Sequence, residues 1–498
     1  MDFSNILTFS NLLICAGGCI FGIVFGFLPG LSSTMAVAVI LPFTFGMESI
    51  PAFSLLLGCY CGAMFGGAIT AILIKTPGTP QNAATVLDGY PMAQSGKAQE
   101  ALSTATICSF IGGIFSCVIL ILLARSLANV ALKFGPPEYF AVGVFGLSVV
   151  SSLSGKNILK GVIGACFGLM LSTIGSDPVT GIMRFTFGST KLMAGMQIVA
   201  VLIGLFAISE VLTKLEAAHR KKAADSVNSL SGHMVSLKEL LKHWVNILRS
   251  AVIGTIIGII PGTGGGTAAW LSYNTAMRSS KNSDKFGTGC IEGVVASETA
   301  NNAVTGGALV PLLALGIPGD TVTAVMLGAL MIKGLTPGPT LFSNHADVIN
   351  GIYVLLIVAN VFMLIFGLLL VRPLVKVLQV PTSILFSVVL LLCCVGAFAM
   401  RNNLFDVEVA IVMGVLGFLL SKAGFTVPPI LLGMILGSTI ESNLRRSLIM
   451  SGGSASIFLT RPIALVLLIV AVVMFFWPII REIKKKHNDG NDGNAKTV

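Results

Sequence analysis

Proline–glycine pairs followed by small hydroxyl or amide residues recur along this sequence, and this combination can bind an anion together with a cation. They occur at Pro29-Gly30, Pro77-Gly78, Pro261-Gly262 and Pro318-Gly319. Proline removes one backbone N–H and glycine tolerates unusual dihedral angles, so each pair should interrupt a helix. The helix that resumes presents free N–H groups to carboxylate oxygens, while unwound carbonyls and hydroxyls suit a small cation.

The residues around these breaks are the predicted ligands of a carboxylate substrate and its coupling ion. The predicted substrate-binding residues are Pro29, Gly30, Ser32, Ser33, Thr34, Lys75, Pro77, Gly78, Thr79, Asn82, Gly262, Thr263, Asn301, Asn302, Gly319 and Thr321. The same breaks supply a further polar lining from Gln81, Thr85, Thr267 and Thr323. Glu298 and Asp320 could ligate the coupling cation or carry a proton. The alternative is that the breaks only allow helices to pack closely.

Several charged residues also have a purely structural interpretation. Lys75 could pair with a substrate carboxylate, or it could extend from a helix end towards lipid headgroups. Glu298 could equally lie at the membrane interface. Exposure to solvent explains four other acidic residues near the ends of apolar segments, which are Asp177, Glu210, Asp406 and Glu408.

Motifs for enzymatic chemistry are missing from the sequence. It has no phosphate-binding loop ending in Gly-Lys-Ser/Thr, no metal-ligand cluster and no nucleophile with its base. The chain is therefore not predicted to be an enzyme, and it needs no cofactor beyond a coupling Na+ or H+. The alternative is an intramembrane enzyme or a sensor that uses Asp177, Glu298 and Asp320. A single active site, however, does not require duplicated helix breaks.

The composition is that of a membrane protein. Hydrophobic residues make up 54% of the 498 positions and charged residues only 10%, against about 25% charged residues in soluble chains. Charge-free windows at 101–124, 377–400 and 462–480 match the length of about 20 residues that a spanning helix needs. Continuous apolar runs exclude a barrel of alternating strands. The predicted fold is an all-α polytopic membrane protein with about 11–12 transmembrane segments, some of them broken helices or re-entrant hairpins.

Basic residues account for the net charge of +10 and indicate the topology. They concentrate in a central linker and in the C-terminal tail, which the positive-inside rule places in the cytoplasm. The N-terminus has no basic residue before Leu12, so we predict that it is periplasmic and is not a cleaved signal peptide. Most of the ten cysteines lie in apolar runs and are interpreted as small hydrophobic residues.

Two motifs occur in the same order in both halves, which predicts an internal duplication. Residues 22–30 match residues 254–262. The second motif is a Gly-Gly-Ala that leads to a Pro-Gly, at 66–68 and 76–80 in the first half and at 306–308 and 317–321 in the second. The repeats are inverted if the N-terminus is outside and the linker inside. The predicted domains are a first repeat 1–213, a linker 214–245, a second repeat 246–460, an additional helix 461–481 and a cytoplasmic tail 482–498.

Short motifs over most of the chain resemble those of the large membrane subunit of tripartite tricarboxylate transporters. They are Gly26-Phe27-Leu28-Pro29-Gly30-Leu31, Lys75-Thr76-Pro77-Gly78-Thr79-Pro80, Leu87-Asp88-Gly89-Tyr90-Pro91, Asp177-Pro178-Val179-Thr180-Gly181, Arg184-Phe185-Thr186-Phe187-Gly188, Glu298-Thr299-Ala300-Asn301-Asn302 and Leu335-Thr336-Pro337-Gly338-Pro339. The resemblance implies gradient-driven uptake of citrate-like carboxylates across a bacterial inner membrane. It also implies a small membrane subunit and a periplasmic solute-binding protein as partners. A stand-alone carboxylate/cation symporter is the alternative.

Overall fold

The structure is a computed structural model that describes residues 5–148, 150, 157–177, 179–218, 232–377 and 382–476. Within these ranges helices dominate, and the one strand pair is antiparallel, β1 Gly175–Ser176 with β2 Met183–Arg184. The predicted all-α fold is confirmed. Parts of the predicted linker, the additional helix and the tail lie outside the described residues, at 219–231 and 477–498. The predicted domain boundaries stay predictions.

The helices are short where the sequence contains proline and glycine, and long elsewhere. The first half contains α1 Phe9–Phe27, α2 Ser33–Ile40, α3 Ser49–Ile74, α4 Val86–Met92, α5 Ala98–Ala131, α6 Pro136–Ser148, α7 Ile158–Ser172, α8 Ile198–Leu202 and α9 Ser209–Ala218. The second half contains α10 Leu237–Leu240, α11 Trp244–Ile259, α12 Gly264–Ser279, α13 Ile291–Leu315, α14 Thr321–Ile332, α15 Pro339–Asn344, α16 Ala346–Leu369, α17 Val371–Val377, α18 Thr382–Ala399, α19 Leu404–Lys422, α20 Val427–Met450, α21 Ile457–Thr460 and α22 Pro462–Phe476.

Short helical turns of other types connect these helices. Turns of 3-10 helix lie at Leu41–Thr44, Pro80–Asn82, Thr190–Leu192, Leu241–His243 and Ser283–Lys285, and π-helical segments at Ala93–Lys97 and Ile203–Ile208. Seven of the described helical stretches are long and apolar enough to cross a membrane, and five shorter apolar helices have 10–17 residues. The total of 11–12 transmembrane segments stays a prediction, because length and composition do not decide which short helices cross.

The chain forms two compact units, Met1–Leu132 with Val199–Phe418, and Lys133–Ile198 with Leu419–Val498. In the first unit α1 and α3 pack backbone to backbone. A Cβ added at Gly18 would lie under 3.0 Å from the carbonyl of Leu55, and one at Gly26 under 3.0 Å from that of Ala63. The residue numbers of the contacting pairs increase together along the two helices, so α1 and α3 run parallel.

The corresponding helices of the second half pack in the same way. A Cβ added at Gly254 would lie under 3.0 Å from the carbonyl of Ala300, and one at Gly258 would lie 2.9 Å from that of Val304. Thus α11 and α13 also run parallel and touch through glycine. These matching contacts are what a duplicated structure requires, while the duplication and its inversion stay predictions.

In the second unit, four charged side chains join α20 to the loop that contains the strand pair. Arg184 contacts Glu441 at 2.7 Å and Asp177 at 3.3 Å, and Arg445 contacts the same two carboxylates at 2.7 and 2.8 Å. Asp177 is only 5% exposed. The expectation that solvent exposure explains Asp177 is therefore wrong, because the carboxylate is covered by its arginine partners.

Replacing Asp177 by asparagine is expected to lower the melting temperature at neutral pH. The backbone N–H groups of Thr180 and Val179, followed by Arg445, lower the pKa of the Asp177 carboxyl. A lowered pKa in the folded state adds stability above the ordinary carboxyl pKa, about 3.9, and this stability is lost as the pH falls through the folded-state value. Thermal unfolding should show a difference in melting temperature between the variant and wild type that is constant from pH 8 down to about pH 4. Below about pH 4 this difference should shrink. A difference that grows on acidification would contradict the contact.

Candidate functional site

Each of the four proline–glycine pairs lies between two helices, as predicted. The break after α1 precedes α2, the break after α3 precedes the turn Pro80–Asn82, and the breaks after α11 and α13 precede α12 and α14. Gly30 and Gly262 have φ angles of +92° and +78°. Glycine takes up such angles without strain, and an L-residue rarely does.

Two of the breaks fold back against an earlier helix of their own half, the second break against α1 and the fourth against α11. A Cβ added at Gly78 would lie under 3.0 Å from the carbonyl of Gly26 and 2.7 Å from the Cα of Gly67. A Cβ at Gly319 would lie under 3.0 Å from the carbonyl of Gly258 and 2.5 Å from the Cα of Ala308. The helix starts that follow these breaks are therefore held inside the first unit by backbone contacts.

The N-termini of α2 and α14 meet. The hydroxyls of Thr34 and Thr321 share a hydrogen bond of 2.6 Å. Ser32 caps α2 and Asp320 caps α14 with their side-chain oxygens. The carboxylate of Asp320 also accepts the hydroxyl of buried Tyr60 at 2.8 Å. The two positive helix ends thus lie side by side, and the carboxylate of Asp320 caps that of α14.

Two further helix starts reach the same place. Gln81, in the turn after the second break, donates its Nε2 to the hydroxyl of Ser33 at 3.1 Å. At the start of α12, a Cβ added at Gly265 would lie 3.2 Å from Cγ of Gln81, and one at Gly264 would lie 3.9 Å from Cβ of Asp320. We call this convergence of α2, Pro80–Asn82, α12 and α14 the four-helix-start site.

Two oxygens at the four-helix-start site lack a donor among the described residues. They are Oε1 of Gln81 and Oδ1 of Asn301. Asn301 is fully buried, and its Nδ2 donates to the carbonyl of Met64 at 3.0 Å. A Cβ added at Gly265 would lie under 3.0 Å from Oδ1 of Asn301. Because buried polar atoms are normally paired, these oxygens are available to a ligand.

Glu298 lies beside this site in a network of neutral side chains. It is fully buried within the protein, and the interfacial interpretation stays a prediction. Asn82 donates to Oε1 at 3.0 Å and Thr85 at 2.5 Å, while Ser109 on α5 donates to Oε2 at 3.2 Å. Asn302 in turn donates to Ser109 at 2.7 Å. The three donors come from the turn Pro80–Asn82, from the loop before α4 and from α5, all in the first half, and the carboxylate comes from the second half.

The C-terminal end of α14 is also joined to the segment that follows α2, which begins with the 3-10 turn Leu41–Thr44. The ammonium of Lys333, just beyond α14, donates to the carbonyls of Thr44 at 2.6 Å and Phe45 at 3.0 Å, and also to that of Met47. Together with the Thr34–Thr321 hydroxyl pair at the other end, this joins α14 at its start to α2 and at its end to the segment that follows α2.

Glu210 is a candidate that sequence analysis set aside. Glu210 is half-buried, and Ser32 donates to its carboxylate at 2.7 Å, so the residue adjoins the four-helix-start site. It follows the π-helical segment Ile203–Ile208, a feature often found at functional sites. Asp406 is also buried, paired with Arg401 at 2.9 Å, while Glu408 is exposed as predicted. Position near a segment end did not reveal which carboxylates are covered.

Other predicted ligands lie outside the four-helix-start site or form hydrogen bonds to neighbouring protein groups. Lys75 is exposed, ends α3 with a φ of +57°, and places its ammonium 5.6 Å from the ring centre of Tyr90. Thr263 donates to the carbonyl of Ile260 at 2.9 Å. Thr79 donates to Oδ1 of Asn82 at 2.6 Å and so orients the Asn82 amide. A role for Lys75 and Thr263 in substrate binding stays a prediction.

The remaining predicted positions belong to the breaks or cap them. Gly262 donates its N–H to the carbonyl of Gly319 at 2.7 Å, which links two breaks of the second half. Pro29, Gly30 and Pro77 are half-buried. In the polar lining, Thr323 bonds to Asp320 and Thr267 is exposed.

Comparison with known proteins identifies similar sequences. Residues 12–432 match the model of the "Tripartite tricarboxylate transporter TctA family". An "uncharacterized 52.8 kDa protein in TAR-I ttuC' 3'region" of Agrobacterium vitis is 37% identical over 488 residues, which is 98% of this chain and 97% of that protein. An "uncharacterized protein in TAR-II ttuC' 3'region" of the same species is 39% identical over 231 residues, 46% of this chain and 96% of that protein. No solved structure matches.

Proposed function

The chain belongs to the tripartite tricarboxylate transporter TctA family, and on that premise we propose that it takes up tricarboxylates or related citrate-like carboxylates by secondary active transport. It acts as the large membrane subunit of a binding-protein-dependent system, together with a small membrane subunit and a periplasmic solute-binding protein. Its place is the bacterial inner membrane, with the N-terminus in the periplasm and the C-terminus in the cytoplasm.

The four-helix-start site carries this proposal. The N-termini of α2, α12 and α14 and the turn Pro80–Asn82 converge there. Helix N-termini offer free N–H groups and the positive end of the dipole, which suits the oxygens of a carboxylate. Broken helices with this arrangement are typical of secondary transporters. Ser33, Thr34 and Thr321 would supply the hydroxyl donors.

The coupling ion compensates for the charge of the substrate. Asp320 already places a carboxylate at the start of α14, and a bound carboxylate beside it would be repelled unless a cation or a proton accompanies it. The unpaired oxygens of Gln81 and Asn301 suit a small cation. Glu298 and Asp320 are the proposed residues for binding the coupling Na+ or H+.

Uptake of radiolabelled citrate and other carboxylates into proteoliposomes tests this function. The vesicles contain this chain and the small membrane subunit, with or without the binding protein, under a sodium or a proton gradient. Asn301→Ala should reduce uptake by about tenfold or more, because a coordinating oxygen at the site is lost. Uptake that needs the binding protein supports the tripartite system.

The control is Asn344→Ala, at the exposed end of α15, which should leave uptake unchanged. Equal uptake without the binding protein would favour the stand-alone symporter. A wild-type protein that transports none of the carboxylates would refute the proposed substrate class. Wild-type uptake that Asn301→Ala preserves would remove Asn301 from the site.

A further inference from the structure

One aspartate of the sequence motifs joins the two halves of the chain at a place that the proposed site does not use. Asp88 on α4 is fully buried. Its Oδ1 accepts the backbone N–H groups of Gly287, Gly289 and Cys290 at 2.9, 2.9 and 2.8 Å. Its Oδ2 accepts the hydroxyl of Tyr273 on α12 at 2.8 Å. Hydrogen bonds to a carboxylate are about twice as strong as neutral ones, so this is a firm contact.

The Asp88 contact lies on the side of the protein from which α11 starts. Because α11 and α13 run parallel, their first turns are level, and Asn246 donates to the carbonyl of Glu292 at 3.0 Å. Lys238 and Lys242 precede α11, and basic residues of this kind face the cytoplasm. The loop between α12 and α13, residues 280–290, is therefore on the cytoplasmic side.

The elements that Asp88 joins also begin at the four-helix-start site. The turn Pro80–Asn82 leads into α4 on one side of the contact. On the other side α12 begins at the site with Gly264 and carries Tyr273 further along. A solute that moves from the site to the cytoplasm between these elements has to separate α4 from α12 and from the loop 280–290.

Building on the proposed transport function, we propose that Asp88 is a positioning residue that closes the cytoplasmic side of the substrate site. Its hydrogen bonds hold α4 against Tyr273 and the loop 280–290 and break when a carboxylate is released to the cytoplasm. Cys290 reports this opening, because its backbone N–H is one of the four donors and its thiol is half-buried in the closed form.

Labelling of Cys290 by a membrane-impermeant maleimide measures the opening directly. Inside-out membrane vesicles containing the full chain are treated, and the modified cysteine is identified by peptide mass spectrometry, with Cys290→Ser as the labelling control. Asp88→Ala should accelerate labelling about tenfold or more, since the closed form loses all four hydrogen bonds. Tyr273→Phe, which removes one bond, should accelerate it less. Asp347→Ala, at an exposed aspartate of α16, should leave the rate unchanged.

The proposal is overturned if Asp88→Ala keeps the wild-type melting temperature and labels at the wild-type rate. If this variant does not fold, Asp88→Asn and Tyr273→Phe decide the question, since both preserve the shape of the side chain. The labelling rate is measured without substrate, so it reports the closure even if the chain transports no carboxylate. Failure of the closure and failure of the proposed function are thus distinguishable.

Discussion

Replacing Gly78 by alanine is expected to abolish uptake and to lower the melting temperature sharply. The added Cβ would lie under 3.0 Å from the carbonyl of Gly26 and 2.7 Å from the Cα of Gly67. Both neighbours are backbone atoms of packed helices and cannot rotate away. Overpacking costs about 1–3 kcal/mol and occasionally more, and we expect a cost at the upper end here because the neighbours are backbone atoms. Thermal unfolding followed by size-exclusion chromatography, together with proteoliposome uptake, measures both effects.

Gly46→Ala is the matched control for this substitution. Gly46 is also a loop glycine with an ordinary φ, and a Cβ there would meet no heavy atom within 4 Å. Its effect should stay within about 0.5 kcal/mol. If Gly78→Ala were as stable as Gly46→Ala, the packing of the second break against α1 would be contradicted. The four-helix-start site would then not be held in place by this contact.

Glu298→Gln is expected to reduce gradient-driven uptake by about tenfold or more, because an amide N–H replaces one of two oxygens that accept hydrogen bonds. Thr85 and Asn82 donate to Oε1, and Ser109 donates to Oε2. Whichever oxygen is replaced, a donor loses its acceptor. The variant also removes the negative charge that would bind a cation or a proton.

Exchange of labelled for unlabelled carboxylate across the vesicle membrane separates these two effects. Exchange needs an intact substrate site but no net movement of the coupling ion. Loss of gradient-driven uptake with preserved exchange would assign Glu298 to coupling, whereas loss of both would make its role structural. Exposed Glu408, changed to glutamine, should behave like wild type in either assay. Wild-type uptake by Glu298→Gln would contradict both roles.

The helix breaks could be predicted from the sequence because proline and glycine act on their own backbone. Ser32 and Asp320 were predicted as ligands and not as residues that cap helices, although both bond to backbone groups only three positions away. The family could also be recognised from the sequence, because its motifs are short and each is formed by consecutive residues. The sequence therefore predicts the features that depend on residues close together along the chain.

The partners of these residues were not predictable, because they come from distant parts of the chain. The sequence did not show which side chains donate hydrogen bonds to Glu298, and Glu210 was set aside because it lies near a segment end. The burial of Asp177 depends in the same way on Arg445. Apolar content and spacing do not show which polar residue faces which.

The long separations inside the four-helix-start site affect the order in which the protein can be made. Thr34 meets Thr321 after 287 residues, Tyr60 meets Asp320 after 260, and Asn82 meets Glu298 after 216. At a synthesis rate of about 5–20 residues per second, the ribosome needs on the order of ten seconds or more between the members of each pair. During that time the hydroxyl and amide groups of the first half are without the partners that the second half supplies.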